Sequence, residues 1–160
     1  MEKTTLQAIK KIVILGAESS GKTDLCHQLA THYHTTWVPE YARVYFNTHD
    51  INRYTVDELD NIAIHQLQME TDFLTRANRF LFCDTALITI KIWSEHKFNK
   101  VSDFINSSIK ARDYDLYLVC NNDVEWQADP QRLNPELREQ VLQWNVHELI
   151  RLNVPYHIIE

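Results

Sequence analysis

The chain is poor in glycine. Of its 160 residues only Gly16 and Gly21 are glycine, where ordinary usage gives roughly eleven. So few left-handed hinges exclude glycine-rich linkers and collagen-like repeats. No apolar run approaches the length of a membrane span, and the N-terminus, MEKTTLQAIKK, carries no signal-peptide core. Neither a membrane partner nor a leader is therefore expected. The basic surplus of a general nucleic-acid binder is missing too, the formal net charge being −6, so no nucleic-acid partner is expected. A small polyanion stays compatible, because a few local cations suffice to hold one. Cysteine is sparse: Cys26, Cys83 and Cys120 are odd in number, widely spaced and each in an apolar setting. They read as buried reduced thiols of a cytoplasmic protein and not as a disulfide framework. The eight histidines are scattered without metal-ligand spacing. Repeats and low-complexity tracts are absent, and the length fits one domain, residues 1–160.

What the chain has is alternation. KIVIL (11–15) is a short apolar β-branched run that reads as a buried strand ending at Gly16. Residues 22–33 have helical character, and TTWV (35–38) is a second strand stopped by Pro39. Thr55 and Glu58 form a capping-box pattern, with helical spacing behind it to about Asn78. FLFC (80–83) is a third strand ending at Asp84. In ALITIKIW, isoleucines 88, 90 and 92 alternate with Thr89 and Lys91, which by period alone predicts another strand. A short helix at about 102–112 precedes the strand DLYLVC (115–120). The polar stretch 121–134, NNDVEWQADPQRLN, reads as a loop of functional length. Asn134 then caps a helix with Pro135 at its first position, and PYHIIE closes the chain as a fifth strand. Strands alternating with helices predict an α/β domain with a mostly parallel sheet, whose ligands sit beyond the carboxyl ends of the strands. That gathers Gly16, Glu40, Asp84 and the 121–134 loop on one edge.

The two glycines bracket GAESSGKT, a full match to G-x-x-x-x-G-K-[ST] between a predicted strand and a predicted helix. Gly16 and Gly21 permit the tight turn, and the backbone from Gly16 through Ala17, Glu18, Ser19, Ser20 and Gly21 would point its N–H groups at phosphate oxygens. The helix behind adds the positive end of its dipole. Lys22 would reach the β- and γ-phosphates of ATP, and the Thr23 hydroxyl would ligate Mg²⁺.

Four further features have chemistry to offer. Glu40, in VPEYAR, either orients and deprotonates an acceptor hydroxyl or stabilises a helix N-terminus. Arg43, one turn on, either holds a phosphate or carboxylate or pairs with Glu40. Asp84 at a strand end suits a carboxylate that helps hold Mg²⁺. In the 121–134 loop, Arg132 is a cation for charge developing on a transferred phosphoryl group, and Trp126 either excludes water, stacks on a flat ring or simply packs. Trp93 is assigned to the core in preference to a ligand site.

The blocks GAESSGKT, WVPEYAR, FCDT with KIWSEHKF, YDLYLV and DVEWQADPQRLNPELR run in order from about residue 12 to 158. Together they resemble the ribosylnicotinamide kinase (nicotinamide riboside kinase) family, the kinase domain of NadR-type proteins. The resemblance implies a P-loop NTPase fold of the nucleoside/nucleotide kinase kind, three layers α/β/α around a mostly parallel five-stranded sheet. It implies ATP-dependent phosphorylation of the ribose 5′-hydroxyl of nicotinamide riboside, giving nicotinamide mononucleotide. It makes 85–98 a helix, against the alternation in ALITIKIW. By position, Lys22 and Thr23 take the phosphate and metal roles and Asp84 that of the strand-end acid. Glu40, Tyr41 and Arg43 fall in the acceptor motif, and Trp126, Arg132 and Arg138 in the lid and the helix after it. Ala86 stands where the family often has a second acid, and Asp24 where small or hydroxyl residues are frequent. The chain stops at Glu160, where relatives usually continue through a loop that flanks the adenine; neither an adenylyltransferase nor a repressor activity is expected of it. A kinase for another nucleoside, or a nucleotide-binding regulatory module, fits the same residues.

Overall fold

The computed structural model describes residues 8–132 and 134–160. Most of the N-terminal segment that bears on the leader, residues 1–7, and Leu133 of the 121–134 loop lie outside them. Five strands form one all-parallel sheet: β1 (Lys10–Gly16), β2 (Trp37–Val38), β3 (Phe80–Asp84), β4 (Leu116–Cys120) and β5 (Tyr156–Ile159). Their spatial order is β2-β3-β1-β4-β5, so β1 is central, with Ile14 opposite Asp84 and Gly16 opposite Cys120. The chain leaves β1 towards β2 and leaves β3 towards β4. The loops at those two strand ends therefore diverge, which opens a crevice between them.

Alternation along β1 assigns the two faces. Ile14 packs with Cys26 and Ala30 of α1 (Lys22–His32) and with Phe82 and Cys120. Val13 and Leu15 point the other way, into a larger core with Leu59, Ile62, Leu87, Ile88, Ile105 and Leu149. That core is built by α3 (Val56–Leu74), α4 (Leu87–Phe98), α5 (Asp103–Ala111) and α6 (Arg138–Leu152). Each fully buried side chain of this size contributes roughly 1.5–3 kcal/mol. The expected three-layer α/β/α arrangement results, with the P-loop at the edge it was assigned to.

The helix that the resemblance implies over 85–98 is present as α4, and the strand suggested by period alone is not. ALITIKIW is helical, because α4 is enclosed by α3, α5 and α6 and buries Ile88, Ile90 and Ile92 together. A helix covered on several sides has no amphipathic period to display, so the alternation of isoleucines carried no strand information. Its buried Lys91 pairs with Glu148 of α6 at 2.8 Å. The helix after Asn134 begins as a single 3-10 turn, Pro135–Leu137, and the Asn134 side chain makes no capping bond. The capping box of Thr55 and Glu58 forms as expected at the start of α3. A short helix that the sequence reading did not delineate, α2 (Tyr41–Tyr45), follows Glu40. All three cysteines are buried and free. No helix among the described residues is long and apolar enough to cross a membrane.

Candidate functional site

The buried strand β1 delivers its chain to the crevice, where both glycines are required. A Cβ on Gly16, at φ +151°, would sit 2.7 Å from Ser20 Oγ and 3.1 Å from the Cys120 carbonyl. Gly21 lies at φ +88°, in the left-handed region, immediately before α1. Ser19 also takes a positive φ of 59°. The loop therefore turns back over the helix start, where unpaired N–H groups and the dipole favour an anion. Lys22 Nζ donates to the loop's own carbonyls, Gly16 O at 3.1 Å and Ala17 O at 3.0 Å.

Asp84 ends β3 next to this loop and is nearly inaccessible. The Thr23 hydroxyl donates to its Oδ2 at 2.6 Å, while its Oδ1 is buried with no hydrogen-bond partner among the described residues. The turn that aims it is strained. Thr85, β-branched and buried, is held at φ 73° while its N–H donates to Ile14 O at 2.9 Å. Burial pushes the Asp84 carboxyl up, and the Lys22 ammonium and the Thr23 hydrogen bond pull it back.

Glu40 approaches from the opposite wall. Pro39 ends β2 and sets the turn, and buried Gln66 of α3 fastens both sides of it. Its Oε1 accepts from the Tyr41 N–H at 2.7 Å and its Nε2 donates to the Pro39 carbonyl at 3.2 Å. Only a primary amide on a side chain of this reach offers both groups at once. The Glu40 side chain keeps some contact with cleft water but is enclosed by protein, and that desolvation raises its carboxyl to about 7. Lys22 opposes the rise, Asp84 adds to it, and Arg43 opposes it. The described residues offer the Glu40 carboxylate no hydrogen bond, whereas Asp84 has the Thr23 hydroxyl. Glu18 of the loop is likewise raised by burial, and the Asn134 N–H, Lys22, Arg132 and Arg43 pull it back.

The 121–134 loop crosses between these walls. Gln127 N–H donates to Ser19 Oγ at 2.9 Å, and Arg132 Nη1 to the Gln127 carbonyl at 2.9 Å. Arg138 Nη2 reaches the carbonyls of Ser19 at 3.2 Å and Val124 at 2.7 Å, with its guanidinium 5.7 Å from the Trp126 ring centroid. Arg43 pairs with a carboxylate other than Glu40: both its Nη atoms donate to the Asp129 carboxylate, at 2.8 and 2.9 Å. This bidentate bond holds the Asp129 carboxyl below its ordinary value and Arg43 above its own.

One cavity of about 810 Å³ is lined by residues 18–24, Glu40, Arg43, Asp84 and Arg132. It continues past Phe46, Tyr54, Ile62, Ile90 and Trp93 to His96 and Lys97. Tyr41, Trp126 and Arg138 are outside its lining. Trp126 faces Arg138 instead, and Trp93, read from sequence as core, is part of the wall. Gln66, Asp129 and Gln131 carry no sequence signature that singles them out. Asp129 and Gln131 stand only within the block DVEWQADPQRLNPELR that carries the resemblance.

A loop of this construction at the divergence of β1 and β3 defines the class, P-loop domains with the nucleoside/nucleotide kinase-like fold. The solved structures agree, among them deoxyadenosine kinase from M. mycoides with bound dATP, at TM-score 0.59 and 16% identity, covering 94% of this chain and 90% of that one. Residues 11–160 match the family model described as an AAA domain, and the chain belongs to that family. It is 30% identical over 124 residues to the trifunctional NAD biosynthesis/regulator protein NadR of Salmonella typhimurium, covering 76% of this chain and 30% of that protein. The figures for the NadR of Escherichia coli strain K12 are the same. The chain thus spans under a third of the length of these relatives. A NadR protein solved in complex with NR superposes at TM-score 0.82 and 20% identity, over 95% of this chain and 44% of that one. The resemblance to NadR-type proteins carried by the sequence blocks is thereby borne out.

Proposed function

We propose that the chain is a single kinase domain, with 121–134 as its lid, that transfers the γ-phosphoryl group of ATP to the ribose 5′-hydroxyl of nicotinamide riboside. The observation that carries the reading is that the phosphate loop, Asp84 and Glu40 face one another across one cavity. Its volume of about 810 Å³ is in the range of small-molecule sites. In the reaction the 5′-hydroxyl gives its proton to ionised Glu40 as its oxygen bonds to the γ-phosphorus, and the bond from that phosphorus to the ADP oxygen breaks. Lys22 turns from the loop carbonyls to the phosphates, and Arg132 meets the charge on the transferred group. The residues present suit Mg²⁺: the orphaned Asp84 Oδ1 and the adjacent Thr23 hydroxyl are hard oxygen donors beside the phosphate loop. Thr23 and Asp84 would hold the ion, which when bound neutralises phosphate charge. The apolar stretch through Phe46, Tyr54 and Trp93 suits a flat base attached to the ribose.

Nicotinamide riboside is favoured as acceptor by the sequence similarity to NadR and by the likeness to the NadR protein solved with NR. Phosphorylation assays across nicotinamide riboside, adenosine, uridine and deoxynucleosides test it. Turnover of nicotinamide riboside above the others is expected. Turnover of the others alone would make the chain a kinase for a different nucleoside. ATP binding with no transfer to any of them would make it a regulatory module.

A further inference from the structure

The lid is fastened at both ends by residues of this chain. At the phosphate-loop end the bonds come from Gln127 and Arg138. At the α2 end the Asp129 carboxylate grips Arg43, and Gln131 Nε2 donates to the Arg43 carbonyl at 3.0 Å and to Asn47 Oδ1 at 2.9 Å. Asp129 also builds the segment it anchors. Its Oδ1 accepts from the Gln131 N–H at 2.9 Å, and its carbonyl accepts from the Arg132 N–H at 2.9 Å. Asp129-Pro130-Gln131-Arg132 is therefore a tight turn, with aspartate first and proline second, that presents Arg132 to the cavity. A bidentate guanidinium–carboxylate bond is directional, so it fixes where the turn lands as well as that it lands.

We propose that Asp129 is a positioning residue: by gripping Arg43 it sets the Arg132 turn across the cleft, and Arg43 serves the lid and not the acceptor. Rupture of this grip leaves the α2 end of the lid only the two Gln131 bonds, so the Gln127 N–H at the other end becomes the reporter of how far it loosens. This rests on the kinase reading for its kinetic consequence, but not for its structural one.

Residue-resolved amide hydrogen exchange on Arg43→Met is the first arm, since that variant leaves the turn bonds of Asp129 in place. The Gln127 amide, which touches neither Arg43 nor Asp129, is expected to exchange about tenfold faster. Exchange at Gln127 within about twofold of wild type would overturn the proposal. Kinetics are the second arm. Arg43→Met and Asp129→Asn should each lower kcat about tenfold, the double variant being no worse than either single one. Arg43→Lys, which keeps the charge but not the fork, should fall between. A raised acceptor KM in Arg43→Met, with Asp129→Asn behaving as wild type, would assign Arg43 to the acceptor and overturn the proposal. If wild type phosphorylates no nucleoside, the kinase reading fails while the exchange arm still decides the grip.

Discussion

Replacing Glu40 by glutamine separates its two consequences, one on rate and one on stability. Its carboxyl is raised from the ordinary 4.5 to about 7, first by desolvation. If ionised Glu40 takes the acceptor proton, wild-type kcat/KM should rise about tenfold per pH unit below 7 and level off above it. Glu40→Gln should lose about 10²–10⁴-fold of kcat on the plateau. Stability runs the other way. Because the folded-state value exceeds the unfolded one, the proton on Glu40 stabilises the fold fully below pH 4.5, and that contribution is lost as pH rises through about 7. The rise corresponds to at most about 3 kcal/mol, and to about 1–2 kcal/mol once screening by cleft water is allowed for. The glutamine variant carries no such penalty. Its Tm should match wild type at pH 4.5 and exceed it by about 2–6 °C at pH 8.5. Thermal melts and initial rates over that pH range check both halves. A Tm difference that does not change with pH, or a variant as active as wild type, would refute the reasoning.

Lys22→Ala and Asp84→Asn should each lower kcat by about 10²-fold or more, read by initial rates at saturating nucleoside. Gln66→Leu leaves the Tyr41 N–H and the Pro39 carbonyl without their partner, so urea denaturation should show a loss of about 2–4 kcal/mol. Its kcat should fall while ATP affinity by calorimetry holds, because Gln66 fastens the Glu40 turn and not the phosphate loop. Trp93→Ala should raise the acceptor KM about tenfold and Trp126→Ala less than about threefold, since Trp93 lines the cavity and Trp126 does not. The reverse order in a steady-state comparison would show that the acceptor ring lies under the lid.

Much of the architecture was legible because it depends on local chemistry. Short runs of β-branched or aromatic residues cut off by Gly16, Pro39 and Asp84 mark strands, and a phosphate loop needs glycine where a Cβ would strike Ser20 or where φ is +88°. The capping box at Thr55 is likewise written within four residues. What failed to read was whatever depends on partners distant in sequence. The isoleucines of α4 look like a strand because helices on several sides erased the helical period. Trp93 looks like core because nothing in its own segment says that the cavity lies beside it.

The sequence by itself determined the parallel α/β order, the phosphate loop, and the placing of Glu40 and Asp84 at strand ends, since each follows from neighbouring residues and the pleat. Tertiary structure alone decided that Gln66 fastens the Glu40 turn from 26 positions away, that burial beside Asp84 lifts Glu40 to about 7, and that Arg43 grips Asp129 across 86 positions. Charge and hydrogen-bond energies depend on distance in space and on local dielectric, and the residue order records neither.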